Sequence, residues 1–178
     1  MKFVKRLAAL LLLGLGAPAL LQATTLIKMS MEQMAESATD IVVGTVSSVR
    51  SVWVNRTLMT LTTVVVSESL KGSGATELTV VTPGGIDANR AVPVAILYPG
   101  APMMSPSEEV VLFLTSDDSP VANALTVVGY SQGKFSVVRD GADFTLAQGT
   151  TPDLQLPLVA LKDRVRDVVG KEGGDKHE

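Results

Sequence analysis

The sequence predicts a mainly β protein: a small antiparallel barrel or sandwich of about seven or eight short strands, with one helix at each end. Two observations predict this class. Apolar and polar residues alternate with a period of two in runs rich in Val, Thr and Ile. Clusters of Gly, Pro, Asn, Asp and Ser separate these runs at the spacing typical of short strands. Neither an internal repeat nor a change of composition is present, so we expect one domain.

The first 23 residues are interpreted as a secretory signal peptide. Lys2, Lys5 and Arg6 precede an apolar run, which ends at a small residue, Ala23. The run is shorter than the roughly 20 apolar residues of a membrane-spanning helix. Cleavage after Ala23 would leave Thr24 as the mature N-terminus, with no transmembrane anchor. We therefore expect export to the periplasm or the extracellular space.

The expected mature chain is one β-rich domain over residues 24–170, followed by a disordered tail over residues 171–178. Removing the signal peptide leaves 12 Lys and Arg against 18 Asp and Glu, a net charge of −6. An acidic chain without a basic cluster is not expected to bind nucleic acid. Cysteine is absent, so an exported domain of this kind would depend on packing alone, which fits a bacterial envelope setting.

The first helix is predicted near residue 31. Ser30 is a good N-cap, and Gln33 three residues later completes a capping box. Four apolar residues then fall on one side at helical spacing, and we expect them to pack in the core: Met31, Met34, Ala35 and Ala38.

The strands follow in order. Gly44 inside the first long strand predicts a bulge or sharp bend. Pro93 predicts that the fourth strand, residues 90–98, lies at an edge or bulge. The fifth, residues 108–115, is apolar on both faces and should be central. Residues 139–141 carry an Asp-Gly pair that predicts a hairpin. The expected strands cover residues 40–54, 57–70, 78–83, 90–98, 108–115, 125–130, 134–138 and 144–148.

The second helix is predicted from Pro157, a residue that suits a first helical turn, to Gly170, a residue that suits a helix end. Its apolar residues recur at helical spacing and mark a buried face: Leu158, Leu161, Val165 and Val168. The stretch "YSQGKF", residues 130–135, is interpreted as a connection between strands, with Gly133 supplying a positive φ.

Few residue types that support catalysis are available. The only histidine is His177, in the predicted tail, which argues against zinc sites and Ser-His-Asp triads. A catalytic Ser-Lys pair could combine Lys134 with Ser131 or Ser136. Closeness in the sequence does not support such a pair, because adjacent side chains of a strand point to opposite faces. We therefore expect a non-catalytic protein without a cofactor or metal.

Four carboxylates provide an alternative. A glycan hydrolase would need a pair of them facing each other across a cleft. They lie at the two ends of the predicted fifth strand: Glu108 and Glu109, and Asp117 and Asp118.

The candidate contact surface for a partner is the Pro- and Met-rich segment Pro99–Pro106, next to the loop Gly84–Arg90. Met103 and Met104 are the adaptable apolar side chains of this segment. In the alternative, both methionines pack back onto the barrel. The loop adds three polar candidates: Asp87, Asn89 and Arg90.

The segments "ESATDIVVGTVSSV", "LTTVVVSESLKG", "LTVVTPGG", "SEEVVLFLTS" and "VVGYSQGKFSVV" occur in an order that resembles a group of exported bacterial proteins of unassigned function. The order is also similar to that of the netrin-like modules of tissue inhibitors of metalloproteases, over Ala38–Val138. This resemblance implies an OB-like barrel, closed or partly open. It also implies an inhibitor alternative, in which Thr24 would take the place of the N-terminal cysteine that grips the protease zinc. The disulfide that holds that end in the inhibitors has no counterpart here.

The sequence thus favours an exported, non-catalytic β-barrel that binds another protein or an envelope component. The metalloprotease inhibitor and the glycan hydrolase are the alternatives.

Overall fold

A computed structural model describes residues 27–117, 119–140, 144–149 and 155–174 of the chain. The predicted signal peptide, the expected mature N-terminus at Thr24, Asp118, Gly141 of the predicted hairpin turn and His177 all lie outside these residues. The predictions made for them are therefore neither confirmed nor corrected.

The described residues contain two helices and ten strands. The helices are α1 (Met31–Ser37) and α2 (Leu158–Gly174). The strands are β1 (Asp40–Val54), β2 (Thr57–Lys71), β3 (Glu77–Pro83), β4 (Gly85–Asp87), β5 (Val94–Ile96), β6 (Glu109–Thr115), β7 (Thr126–Val127), β8 (Lys134–Asp140), β9 (Phe144–Gln148) and β10 (Gln155–Pro157).

One large antiparallel sheet dominates the fold. Its strand order is β10-β9-β8-β6-β1-β2-β3, with β7 paired to β6. Strands β4 and β5 form a separate hairpin. The predicted mainly β class with a helix near each end is confirmed. Among the described residues, the strand pairing does not define a closed barrel.

The edge of β3 that does not pair with β2 forms backbone hydrogen bonds with Leu125. The backbone N–H of Val81 donates to the Leu125 carbonyl, and the N–H of Leu125 donates to the Thr79 carbonyl, both at 2.8 Å. These two bonds make an isolated parallel bridge between Val80 and Leu125. Leu125 directly precedes β7, so β3 and β6 approach each other through this segment.

Strand β6 is the centre of the sheet, as its two-sided apolar sequence predicts. It pairs with β1 along one edge and with β7 and β8 along the other. Its alternating side chains enter two different cores. Val111 and Phe113 face the helices, whereas Val110, Leu112 and Leu114 fill the opposite, concave side of the sheet.

Both helices cover the side of the sheet that carries Phe113. The capping box of Ser30 and Gln33 is present, and the predicted apolar face of α1 is buried. On α2, Leu161 and Val165 are fully buried against the same core, as predicted. Neither helix among the described residues is long and apolar enough to cross a membrane.

Several predicted boundaries were wrong. Residues 84–89 were predicted as loop, but Gly85–Asp87 forms β4 because it pairs with β5. Pro157 ends β10 instead of opening α2, since residues 155–157 pair with β9. Helix α2 also continues past Gly170 to Gly174, so residues 171–174 are helical rather than part of a tail.

The stretch of residues 130–135 is a corner, and it fastens the N-terminal segment. The Gln132 side chain is buried; its Oε1 accepts from the Met29 N–H at 2.8 Å and its Nε2 donates to the Ile27 carbonyl at 2.9 Å. The positive φ values fall on Gly129 and Tyr130, so the prediction for Gly133 was wrong. Position 133 requires glycine for a different reason: a Cβ there would lie only 2.9 Å from the Val128 carbonyl oxygen, so there is no room for a side chain.

The bend predicted at Gly44 is present as a register shift between Val43 and Gly44. The close approach of β2 to this position explains why it is a glycine. A Cβ at this position would lie 2.5 Å from the Val65 carbonyl oxygen and 2.8 Å from Val64 Cγ1. The first of these is a backbone atom, which cannot swing away.

We expect Gly44→Ala to lower the free energy of unfolding by about 1–3 kcal/mol, because overpacking must shift the β1–β2 pairing. The same change at Gly170, a helical position with open space around it, should raise it by about 0.5–1 kcal/mol. Urea unfolding of both variants measures this. A neutral Gly44→Ala would contradict the close approach.

Candidate binding cavity

The two segments predicted to contact a partner enclose a common cavity of about 490 Å³. Its floor is formed by the ends of β1, β2 and β3. The β4–β5 hairpin and residues 97–104 form its walls. This size falls within the usual range for small-molecule sites, about 300–1,000 Å³.

Three hydroxyl groups form a row across the floor. Thr60 on β2 pairs with Ser51 on β1 and with Thr82 on β3, so the three side chains share one face of the sheet. All three residues line the cavity. Thr82 is only 4% exposed. Its side chain makes no hydrogen bond to any other residue in the part of the chain that is described.

A fourth hydroxyl lies one row deeper, away from the cavity. Thr62 pairs with Val49 and Val80 and is 1% exposed. Its Oγ1 is buried without a hydrogen-bond partner. Beyond this row the concave side of the sheet is filled by Val64 and other apolar side chains. The interior thus changes from apolar to polar toward the cavity.

Two glycines let the chain turn over the hydroxyl row. Gly84 and Gly85 have φ values of 92° and 144°, a region that favours glycine. The Thr60 hydroxyl donates to the Gly84 carbonyl at 2.8 Å, and the Ile86 N–H donates to Ser51 Oγ at 2.9 Å. A Cβ on Gly85 would lie 2.4 Å from Ser51 Oγ. The hairpin is therefore anchored directly on the floor.

The walls present a cluster of exposed apolar side chains. Ile86 is 63% exposed, Leu97 75% and Met103 76%, and Tyr98 beside them is partly exposed. Met104, by contrast, is 9% exposed and packs into the core of the concave side. Of the two predicted methionines, one is thus at the surface and the other packs back onto the sheet. Both line the cavity.

The polar residues predicted as contacts fasten the hairpin to the tip of β1. Asp87 Oδ2 accepts from Trp53 Nε1 at 2.7 Å and from Arg90 Nε at 3.0 Å, and Oδ1 accepts from the Asn89 N–H at 3.2 Å. The Arg90 guanidinium lies 4.5 Å from the centre of the Trp53 ring, a cation–π contact. The bonds from Trp53, Asn89 and Arg90 lower the pKa of Asp87, although desolvation opposes them. Asp87, Asn89 and Arg90 support the cavity without lining it.

Glu108, Lys134 and Ser136 form a compact cluster elsewhere in the sheet. Lys134 Nζ donates to Glu108 Oε1 at 2.6 Å and to Ser136 Oγ at 2.8 Å, and Ser136 Oγ donates to the same Glu108 oxygen at 2.7 Å. A Ser-Lys contact therefore exists, because residues 134 and 136 share one strand face. Lys134 donates in both bonds, and its ammonium group pairs with the Glu108 carboxylate. The arrangement is that of an ion pair joining β8 to the start of β6.

Burial raises the pKa of the Glu108 carboxyl. The hydrogen bonds from Lys134, from Ser136 and from the Ser105 N–H outweigh this effect and hold the pKa below its ordinary value of 4.5. Glu108 is thus an ionised partner in this cluster at neutral pH.

Among the described residues, Glu109 and Asp117, which belong to the two predicted carboxylate pairs, are not brought together. Glu109 begins β6 and pairs with Thr45, whereas Asp117 lies in the turn beyond the other end. The seven residues of β6 span roughly 20 Å, and paired catalytic carboxylates lie about 5–10 Å apart. The described residues contain no group of three or more His, Cys, Asp or Glu that could hold a metal ion. The inhibitor alternative depends on Thr24, outside the described residues, and stays a prediction.

Sequence reasoning missed the floor of the cavity and the aromatic support of the hairpin. Ser51, Thr60 and Thr82 were assigned to strands but not to a site, and Trp53 was not singled out. One signal was available. Threonines recur every second residue at positions 60 and 62 of β2, on the face that carries valine at position 64. Hydroxyl groups on an otherwise apolar interior face are a local inconsistency of the kind found at functional sites.

Comparison with known proteins gives no assignment: no protein-family model matches the chain, and no curated protein matches it significantly. Of the arrangements described above, the cavity is best suited to bind a ligand. Its apolar walls can contact the ligand, its uncharged polar floor can form hydrogen bonds, and its rim is open.

The Glu108 cluster leads to a prediction of pH-dependent stability. A lowered carboxyl pKa stabilises the fold at pH values above 4.5, and this contribution disappears as the pH falls through the lowered value. Glu108→Gln should therefore lower the free energy of unfolding by about 1–3 kcal/mol at pH 7, because it leaves Lys134 without its anion. The deficit should shrink at pH 3.5.

Urea unfolding at both pH values measures the effect. Glu36→Gln, on the exposed face of α1, is the matched control and should change stability by less than about 0.5 kcal/mol at either pH. An equal deficit at pH 7 and pH 3.5 would show that the carboxylate charge is not the cause.

Proposed function

We propose that this protein is an exported, non-catalytic binding protein that holds its ligand in the cavity beneath the β4–β5 hairpin. The observation that carries the proposal is the exposed apolar cluster of Ile86, Leu97 and Met103 at the rim of a preformed cavity. Scattered apolar side chains on a surface need no explanation, but a contiguous group around a concavity marks a binding site.

The energetics favour an occupant with apolar groups. Covering one exposed aliphatic side chain completely is worth about 1.5–3 kcal/mol, and three such side chains surround the opening. The hairpin does not close over them, since Asp87 and Arg90 hold it against Trp53. The site is therefore organised before the ligand arrives, which reduces the entropy cost of binding.

We also propose that the sheet is an OB-type barrel, with Leu125 closing the circle between β3 and β6. The two backbone hydrogen bonds at Leu125 support this proposal. Three apolar clusters are present among the described residues: one on the helix side, one on the concave side and a smaller one around Leu61 and Val81. The cluster on the concave side fits a barrel with a filled interior. OB folds bind their ligands on the face of strands 2 and 3 and the loops beside it, and the cavity floor includes Thr60 on β2 and Thr82 on β3.

The export proposal is supported by the sequence pattern of residues 1–23 and by the resemblance to exported bacterial proteins. The absence of cysteine fits an envelope domain held by packing.

Binding can be tested with N-phenyl-1-naphthylamine, a neutral apolar dye whose fluorescence rises in an apolar site. We expect the mature protein to bind it saturably. Replacing Ile86 and Met103 together by Ser should weaken binding roughly tenfold or more, because about 1.4 kcal/mol of lost apolar contact is tenfold in affinity. The thermal midpoint should hardly change, since both side chains are exposed.

Val159→Ser is the matched control, because Val159 is an exposed valine on α2, away from the cavity. It should leave dye binding unchanged. Absence of saturable binding, or equal losses in the control and the double variant, would overturn the assignment of the cavity.

A further inference from the structure

We infer that the ligand is a small uncharged amphiphile, whose hydrogen-bonding head contacts the hydroxyl row while its apolar body lies against the hairpin and residues 97–104. This inference rests on the proposed function and adds the chemical class of the ligand. It is carried by three features of the floor: unused hydrogen-bonding capacity, the lack of charge and the burial of Thr82.

The hydroxyl row has hydrogen-bonding capacity that the fold does not use. Ser51 Oγ accepts from the Ile86 N–H, but its own proton has no acceptor among the described residues. Thr60 donates to the Gly84 carbonyl and keeps its lone pairs. Thr82, nine-tenths buried, makes neither kind of side-chain bond within the described chain. Thr82 lines the cavity, so a ligand head can supply the hydrogen-bond partner that its hydroxyl does not find within the fold.

The floor carries no carboxylate, ammonium or imidazole group among its described side chains. The one charged residue of the lining is Arg50, which lies between Val49 and Ser51 on β1. Its side chain therefore projects from the opposite face of the strand. An ionised head would have to leave water for neutral hydroxyls alone, which is unfavourable. A hydroxyl, ether, ester or amide head can donate to or accept from the row without that penalty.

The upper part of the cavity suits an apolar body. Ile86, Ile96 and Tyr98 line it from the hairpin side, and Met103 and Met104 from the connection. Methionine side chains adapt to differently shaped partners. An amphiphile would thus lie with its head on the sheet and its body along the walls.

The test uses three compounds with the same alkyl chain, 1-octanol, octanoate and octylammonium, each displacing N-phenyl-1-naphthylamine from the mature protein at pH 7. We expect 1-octanol to displace the dye at a concentration at least roughly tenfold lower than either ion, as one desolvated charge would require. Thr82→Val should weaken 1-octanol roughly three- to tenfold, the effect of one neutral hydrogen bond. The dye affinity of the variant is measured in the same way and is used to convert the displacement curves into 1-octanol affinities.

Thr79→Val is the matched control, since Thr79 lies on the same strand but on the opposite face. It should leave 1-octanol binding unchanged, and melting curves of both variants verify that the fold is intact. If octanoate bound more tightly than 1-octanol, the inference would be overturned, and Arg50 would be the residue that contacts the ligand's polar head. Equal binding of all three compounds, or an unaffected Thr82→Val, would also overturn it. Failure of the dye to bind would instead reject the cavity as a binding site.

Discussion

The whole fold depends on one strand being buried on both of its faces. All five residues Val110–Leu114 of β6 are completely inaccessible to solvent, and each such aliphatic or aromatic side chain stabilises the fold by about 1.5–3 kcal/mol. Because alternate side chains enter different cores, a slip of one residue would exchange the two sets. Phe113 faces the helices and packs against Phe135, with the ring centres 5.8 Å apart and the ring planes tilted by 51°. This double burial fixes the register of β1 and, through β1, of β2 and β3.

The cavity follows from the same alternation. Along the concave side of β2, Val64 lies in the apolar core, Thr62 comes next and Thr60 reaches the cavity. The periodicity that places Val64 inside also places both threonines on that face. Apolar residues at these positions would extend the core and fill the floor. The chain instead keeps hydroxyl groups there. Thr62 and Thr82 make no side-chain hydrogen bond within the described residues, whereas Ser51 and Thr60 hold the hairpin. The local stability beside the cavity is therefore lower than it could be.

Local patterns were enough to predict much of the fold. The capping box at Ser30, the apolar face of α2 and the two-sided strand β6 depend on residues close together in sequence, and each is present. The pairing of β4 was not predictable in this way, because its three residues become a strand only by lying against β5. The different positions of Met103 and Met104 depend likewise on the core of the concave side, to which Met104 adds a side chain.

The segments that surround the cavity were singled out from the sequence, but the side chains of its floor were not. The two segments proposed as a contact surface do meet around one cavity, since both connect strands at the same end of the sheet. The floor was missed because Ser51, Thr60 and Thr82 come from three strands and become a row only through strand register. For the same reason, the contact between Glu108 and Lys134, which are 26 positions apart, and the contact between Trp53 and Asp87 could not be predicted from the sequence.

Ligand binding in the cavity is tested most directly by a methyl ¹H–¹³C spectrum of the mature protein, labelled at Ile and Met and titrated with N-phenyl-1-naphthylamine. The methyl signals of Ile86, Ile96, Met103 and Met104 should move together, because these side chains line the cavity. Those of Ile41, Met31 and Met34, in the core on the helix side, should stay in place. Movement of the second set without the first, or of neither set, would contradict the claim that the cavity beneath the hairpin is the binding site.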